Sequence, residues 1–163
     1  MQEILAKANA TANNIPRDLS MPSMATALDP KAMRKIFQRR IISPPQVGVV
    51  VEAYHEIREC KITRIKHKAG KYCQVCYRLT VFDAAQNVER RHILTARVFK
   101  KGTSISRYQK AQRQKLVATA LNEPVYHLPE LDMVIWVFPN DRKLEKMPLF
   151  ADERFLRTRV LPE

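Results

Sequence analysis

Along residues 72–82, YCQVCYRLTVF, Val75, Tyr77, Leu79 and Val81 fall on one side, and Cys76, Arg78, Thr80 and Phe82 on the other. A period of two marks a strand with one buried face. Residues 60–67 (CKITRIKH) and 90–100 (RRHILTARVFK) have the same β-like texture. Two turns join the three strands: Lys68-Ala69-Gly70-Lys71, built around a glycine, and a polar run over 83–89. Strands that meander through tight turns pair antiparallel. Lys101-Gly102 is a further turn, and Thr103 or Ser104 then caps a helix expected over 104–121. Ile105, Tyr108, Gln112, Leu116 and Ala120 share the side of it that is expected to face the sheet. Asn122-Glu123-Pro124 breaks this helix. Residues 125–127 can begin a strand, 129–132 turn, and 133–138 form an apolar strand ended by Pro139-Asn140-Asp141.

Upstream, Asp29-Pro30 is a helix start, with Asp as N-cap and Pro in the first turn. Met33, Ile36, Phe37 and Ile41 then have helical spacing, so a helix is expected over 30–41, stopped by Ser43-Pro44-Pro45. Residues 46–58 read as a second helix through Val47, Val50, Val51, Tyr54 and Ile57, although VGVVV alone would suit a strand. Residues 1–28 read as a leader arm, with a short helix possible over 4–10. The sum is an α+β fold: an antiparallel sheet of about five strands, one main packed helix and an N-terminal helical extension. The expected division is a leader over 1–28, the α+β domain over 29–145, and an interlobe segment or tail over 146–163.

Composition narrows the class. The chain has 163 residues, 45% of them apolar and 28% charged, which suits one globular domain and not a disordered segment. No apolar run approaches the about 18 residues of a membrane helix. The N-terminal segment lacks the layout of an export signal, so a cytoplasmic location is expected. Cys60, Cys73 and Cys76 are then expected to be reduced thiols. Cys73 and Cys76 form a C-x-x-C, but no second pair accompanies it and the four histidines are scattered. Zinc sites need four ligands, so the simpler reading is a pair of strand thiols on opposite faces.

The formal charge of +13 makes polyanions plausible partners. Between Glu89 and Glu123 there is no acid but nine Lys or Arg: Arg90, Arg91, Arg97, Lys100, Lys101, Arg107, Lys110, Arg113 and Lys115. Arg107, Lys110, Arg113 and Lys115 on the helix are the candidate polyanion-binding residues. One reading is therefore a non-catalytic basic module that binds nucleic acid or an acidic partner protein.

The motifs of a self-sufficient catalyst are missing. There is no G-x-x-x-x-G-K-[ST], no G-x-G-x-x-G and no G-x-S-x-G. Phosphoryl transfer needs an Asp to orient the attacking hydroxyl and further groups for Mg²⁺. None of Asp18, Asp29, Asp83, Asp132, Asp141 or Asp152 stands two residues after a His or five before an Asn. No catalytic residue is assigned in this chain.

The order strand, glycine turn, strand, turn, strand, helix, strand, strand is that of a kinase small lobe. HKAGKYCQVCYRL (67–79), ILTARVFKKG (93–102) and DMVIWVFPNDRKL (132–144) resemble the N-terminal lobe of the bacterial aminoglycoside phosphotransferase and choline kinase-like family, over about residues 60–145. The resemblance implies a lobe that covers ATP. A separate large lobe, expected to begin about where this chain stops, would carry the catalytic Asp, the Mg²⁺ ligands and the acceptor site. It implies that Lys68, Gly70 and Lys71 cover the phosphates, that Arg97 stands where the family has a phosphate-contacting Lys, and that the linker at Val137 and Phe138 meets the adenine. The expected helix 104–121 lacks the acid that usually pairs with that Lys, so Gln112 or Gln109 would stand in beside Arg97.

Overall fold

The computed structural model describes residues 17–42 and 55–140. Two helices come first, α1 (Met24–Ala27) and α2 (Pro30–Phe37), and the chain leaves α2 through a wider turn of π type, Gln38–Ile42. Strands β1 (His55–Lys68), β2 (Tyr72–Asp83) and β3 (Val88–Phe99) follow as a meander. Helix α3 (Ser104–Gln112) then leads to β4 (Val125–Leu128), a single 3₁₀ turn at Pro129–Leu131, and β5 (Met133–Val137). The sheet has the order β1-β2-β3-β5-β4, with every neighbouring pair antiparallel. The expected α+β architecture is therefore the observed one.

Alternation along the strands gives the sheet two different faces. Val75, Tyr77, Leu79, Leu94, Ala96, Val98, Met133 and Ile135 are buried beneath α1 and α2, whose Met24, Ala27, Met33 and Phe37 complete the main core. Asp29 starts α2 as expected, its carboxylate accepting from the N–H groups of Lys31 and Ala32. Met21, Met24 and Ala27, within the stretch read as a leader, are buried in this core. On the opposite face a smaller cluster of Phe99, Ala111, Val125, Val134 and Trp136 lies at α3, with Tyr72, Tyr108 and Leu116 packed against it.

Two expectations about elements fail. Residues 55–58 are strand, not helix; Gln38 fixes them there, donating to the His55 carbonyl (2.8 Å) and accepting from the Ile57 N–H (2.7 Å). The helix expected over 104–121 ends at Gln112. Beyond it the Asn140 amide takes over the backbone of Val117, accepting from its N–H at 2.7 Å and donating to its carbonyl at 2.8 Å. Ile105, expected to face the sheet, is 49% exposed, and α3 buries Ser104 and Ala111 instead. The expected helix over 4–10, the remainder of 46–58 and the tail over 146–163 lie outside the described residues.

Candidate functional site

Strand register places Arg97 in the middle of the α3 face. It lies across from Gln74 on β2 and Val134 on β5. Only 7% of it is exposed. Its Nε donates to Gln74 Oε1 at 2.9 Å, and its guanidinium lies 4.8 Å from the centre of the Tyr72 ring and 5.8 Å from that of Trp136. Bringing a guanidinium out of water is costly; here an amide oxygen and two aromatic rings are among the groups beside it. Trp136, 3% exposed, has an indole N–H with no acceptor among the described residues. A buried donor without an acceptor costs about 1–3 kcal/mol, so this spot suits an incoming oxygen atom.

The amide beside Arg97 is not the expected one. Gln112 is exposed, and its amide donates to the Tyr108 hydroxyl at 2.9 Å. It sits in the final turn of a helix shorter than the sequence pattern suggests, on the outer side. Gln74 takes the role through cross-strand pairing, a relation that depends on hairpin register and not on helical spacing.

The turn at Gly70 is a left-handed position, φ +64°, as its glycine requires. Two of its N–H groups have partners already. Gly70 N–H donates to Asp18 Oδ2 at 2.9 Å, and Lys71 N–H donates to the Lys68 carbonyl at 2.9 Å. Asp18 also takes hydrogen bonds from the Ser20 hydroxyl (2.6 Å) and backbone, and its Oδ2 lies 3.1 Å from His67 Nε2. The Ser20 hydroxyl first, then the Gly70 N–H, hold the Asp18 carboxyl well below the usual range. The side chains of Lys68 and Lys71 remain exposed. Sequence reading missed Asp18, which is some fifty positions from the turn it clasps.

In the linker, Val137 N–H donates to the Pro124 carbonyl, Phe138 N–H to that of Ile93, and Asn140 N–H to that of Val137. Phe138 itself is 48% exposed, whereas Trp136 is core. Arg107 and Lys110 on α3, and Arg113 and Lys115 beyond its end, are all exposed, so the structure does not put all four on the helix expected to carry them, and the Arg107 guanidinium lies 5.7 Å from the centre of the Phe99 ring. The start of α3 is fastened by Ser104, whose hydroxyl lies 2.9 Å from His127 Nε2 and donates to Asp132, with Tyr108 stacked on the His127 ring.

Cys73 lies on the core face and Cys76 on the other, as strand alternation requires. Burial pushes the Cys73 thiol up to about 11 and that of Cys60 up to about 12, so neither is a thiolate at neutral pH.

Compared with protein-family models, with curated proteins and with solved structures, the chain matches none.

Proposed function

We propose that this chain is the nucleotide-side lobe of a kinase-like phosphotransferase, with a second lobe supplying the catalytic Asp and the Mg²⁺ ligands. The observation that carries the reading is Arg97: a guanidinium held under the sheet on the face shared with α3, oriented by Gln74 and Tyr72, beside an indole N–H that lacks an acceptor. A phosphate oxygen fits that pair of donors by charge and by hydrogen bonding. Lys68 and Lys71 would add positive charge from the turn through their side chains, because its N–H groups at Gly70 and Lys71 are in use. Phe138 offers an apolar side to the base; the N–H groups of Val137 and Phe138 are likewise in use. ATP is the expected ligand, with Mg²⁺ only when the second lobe is present. With no catalytic Asp assigned, the chain's own part is binding and orientation.

Calorimetric titration with ATP tests this. Replacing one charge-assisted contact costs about 1.5–3 kcal/mol, so Arg97→Ala should weaken binding roughly 10-fold or more. Arg90→Ala, at the far end of β3, should leave it nearly unchanged. Equal losses would mean that general positive charge attracts the nucleotide, and the site assignment would be wrong.

A further inference from the structure

Helix α3 turns Ser104, Tyr108 and Ala111 inward: Ser104 and Ala111 are buried, and Tyr108 packs against the smaller cluster. At about 100° per residue, the opposite side of the helix carries Ser106, Gln109, Lys110 and Arg113. Arg113 keeps helical dihedrals, φ −80° and ψ −7°, and so stays in phase with the helix it follows. All four are exposed, and with Gln114 they line one shallow groove. The inner side is pinned, with the Ser104 hydroxyl 2.9 Å from His127 Nε2 and the Tyr108 ring stacked on that of His127. Solvated helix faces commonly alternate the two signs of charge, but no Asp or Glu occurs between Glu89 and Glu123. Acids from neighbouring elements are engaged: Asp132 accepts from the Gly102 N–H at 2.7 Å, and Glu130 pairs with Arg40 at 3.3 Å. Among the described residues no acid pairs with Arg107, Lys110, Arg113 or Lys115.

We propose that the outer side of α3 binds duplex DNA in the major groove, with Gln109 and Arg113 toward the base edges. Arg107 and Lys110, round one side of the helix, and Lys115 beyond its end then meet phosphates. A major groove about 12 Å wide admits a helix, which is about 10–12 Å across with its side chains. The nine residues of α3 rise about 13 Å, the length of roughly four base pairs. Gln and Arg are the side chains that pair with adenine and guanine edges in that groove. Single strands fit less well, because their bases stack on aromatic groups, and the ring of Tyr108 is already stacked on His127. Duplex RNA fits less well, its major groove being too deep and narrow for side chains to read. A protein interface wants a charge-depleted centre, and here the centre holds Lys110 and Arg113. The proposal does not rest on the phosphotransferase reading, which uses none of these residues.

Fluorescence anisotropy of a labelled, mixed-sequence DNA duplex against the full chain provides the test. Three phosphate contacts on a duplex predict that affinity falls roughly 40-fold between about 50 and 200 mM salt. Lys110→Glu combined with Arg113→Glu should weaken binding roughly 10-fold or more at the lower salt and flatten that slope. Replacing the same two by Gln, a milder change, should weaken binding in the same direction. Reversing Lys31, Lys35 and Arg39, exposed on the α2 side, should have a much smaller effect. Binding of the duplex with this pattern supports the proposal. Equal losses in the α2 variant, equally tight binding of polyglutamate or of duplex RNA, tighter binding of single strands, or no binding at low salt would each overturn it.

Discussion

Tyr77 reaches from β2 into the N-terminal segment, where its hydroxyl donates to the Ala27 carbonyl and its ring meets the edge of Phe37 at 5.0 Å. Both ends of that hydrogen bond are fully buried. Tyr77→Phe keeps the packing but removes the donor, so it should cost about 1–3 kcal/mol in urea unfolding, the usual penalty of stranding a buried carbonyl. Loss of less than this would mean the carbonyl finds another donor. Gly70 poses a conformational question. A Cβ there would meet only Lys100 Cε, at 4.0 Å, so there is room for it, but φ is +64°. Gly70→Ala should therefore cost about 1–2 kcal/mol from backbone strain, with no clash to relieve; an unchanged unfolding midpoint would show that the turn adopts another conformation.

Two histidines sit where elements meet, His92 on β3 and His127 between β4 and α3. Burial, and for His92 also the neighbouring Arg90 and His55, lowers the affinity of His92 for a proton. Burial likewise lowers His127, outweighing Glu130 and Asp132, with Arg40 acting in the same direction as burial. Both bind protons more weakly folded than unfolded, so stability should fall as pH drops below about 6.5. Asp18, Asp83 and Glu59 have lowered values instead, and their contributions persist until pH falls through the ordinary carboxylate range and below. Urea midpoints should thus decline between about pH 7.5 and 5.5, and His92→Gln with His127→Gln should flatten that decline; an undiminished decline would place its origin elsewhere.

At this scale the sequence was readable where periodicity was regular. β2 alternates without interruption, and its two faces follow directly. β1 does not: bulges between Ile57 and Glu59 and between Ile62 and Arg64 leave Ile57, Cys60, Ile62 and Ile65 facing the core at spacings of three, two and three. That rhythm hides the first turn of the strand and lets residues 46–58 read as helical. The end of α3 is illegible for another reason, since Asn140 competes for Val117 from 23 positions away. Arg97 is a candidate by its place on the third strand. Gln74 and Asp18 are not, because only the hairpin register and the folded N-terminal segment bring them to their partners.

For the whole molecule, among the described residues, α1 and α2 cover one face of the sheet and α3 packs at the β4–β5 side of the other. The closed face carries stability, through the large apolar cluster centred on Tyr77, Leu94 and Ile135. The other face carries the polar and charged groups from which the proposed function is argued. Its buried part, around Arg97 and Trp136, is the proposed phosphate site. The chain holds a single tryptophan, so the indole N–H of Trp136 gives one unambiguous signal in a ¹⁵N-edited spectrum. Titration of the labelled chain with ATP is the most direct measurement. The account predicts a saturable shift of that indole signal together with the Gln74 side-chain amide, lost in Arg97→Ala. An indole signal that stays fixed while other signals saturate, or one that shifts equally without Arg97, would contradict it.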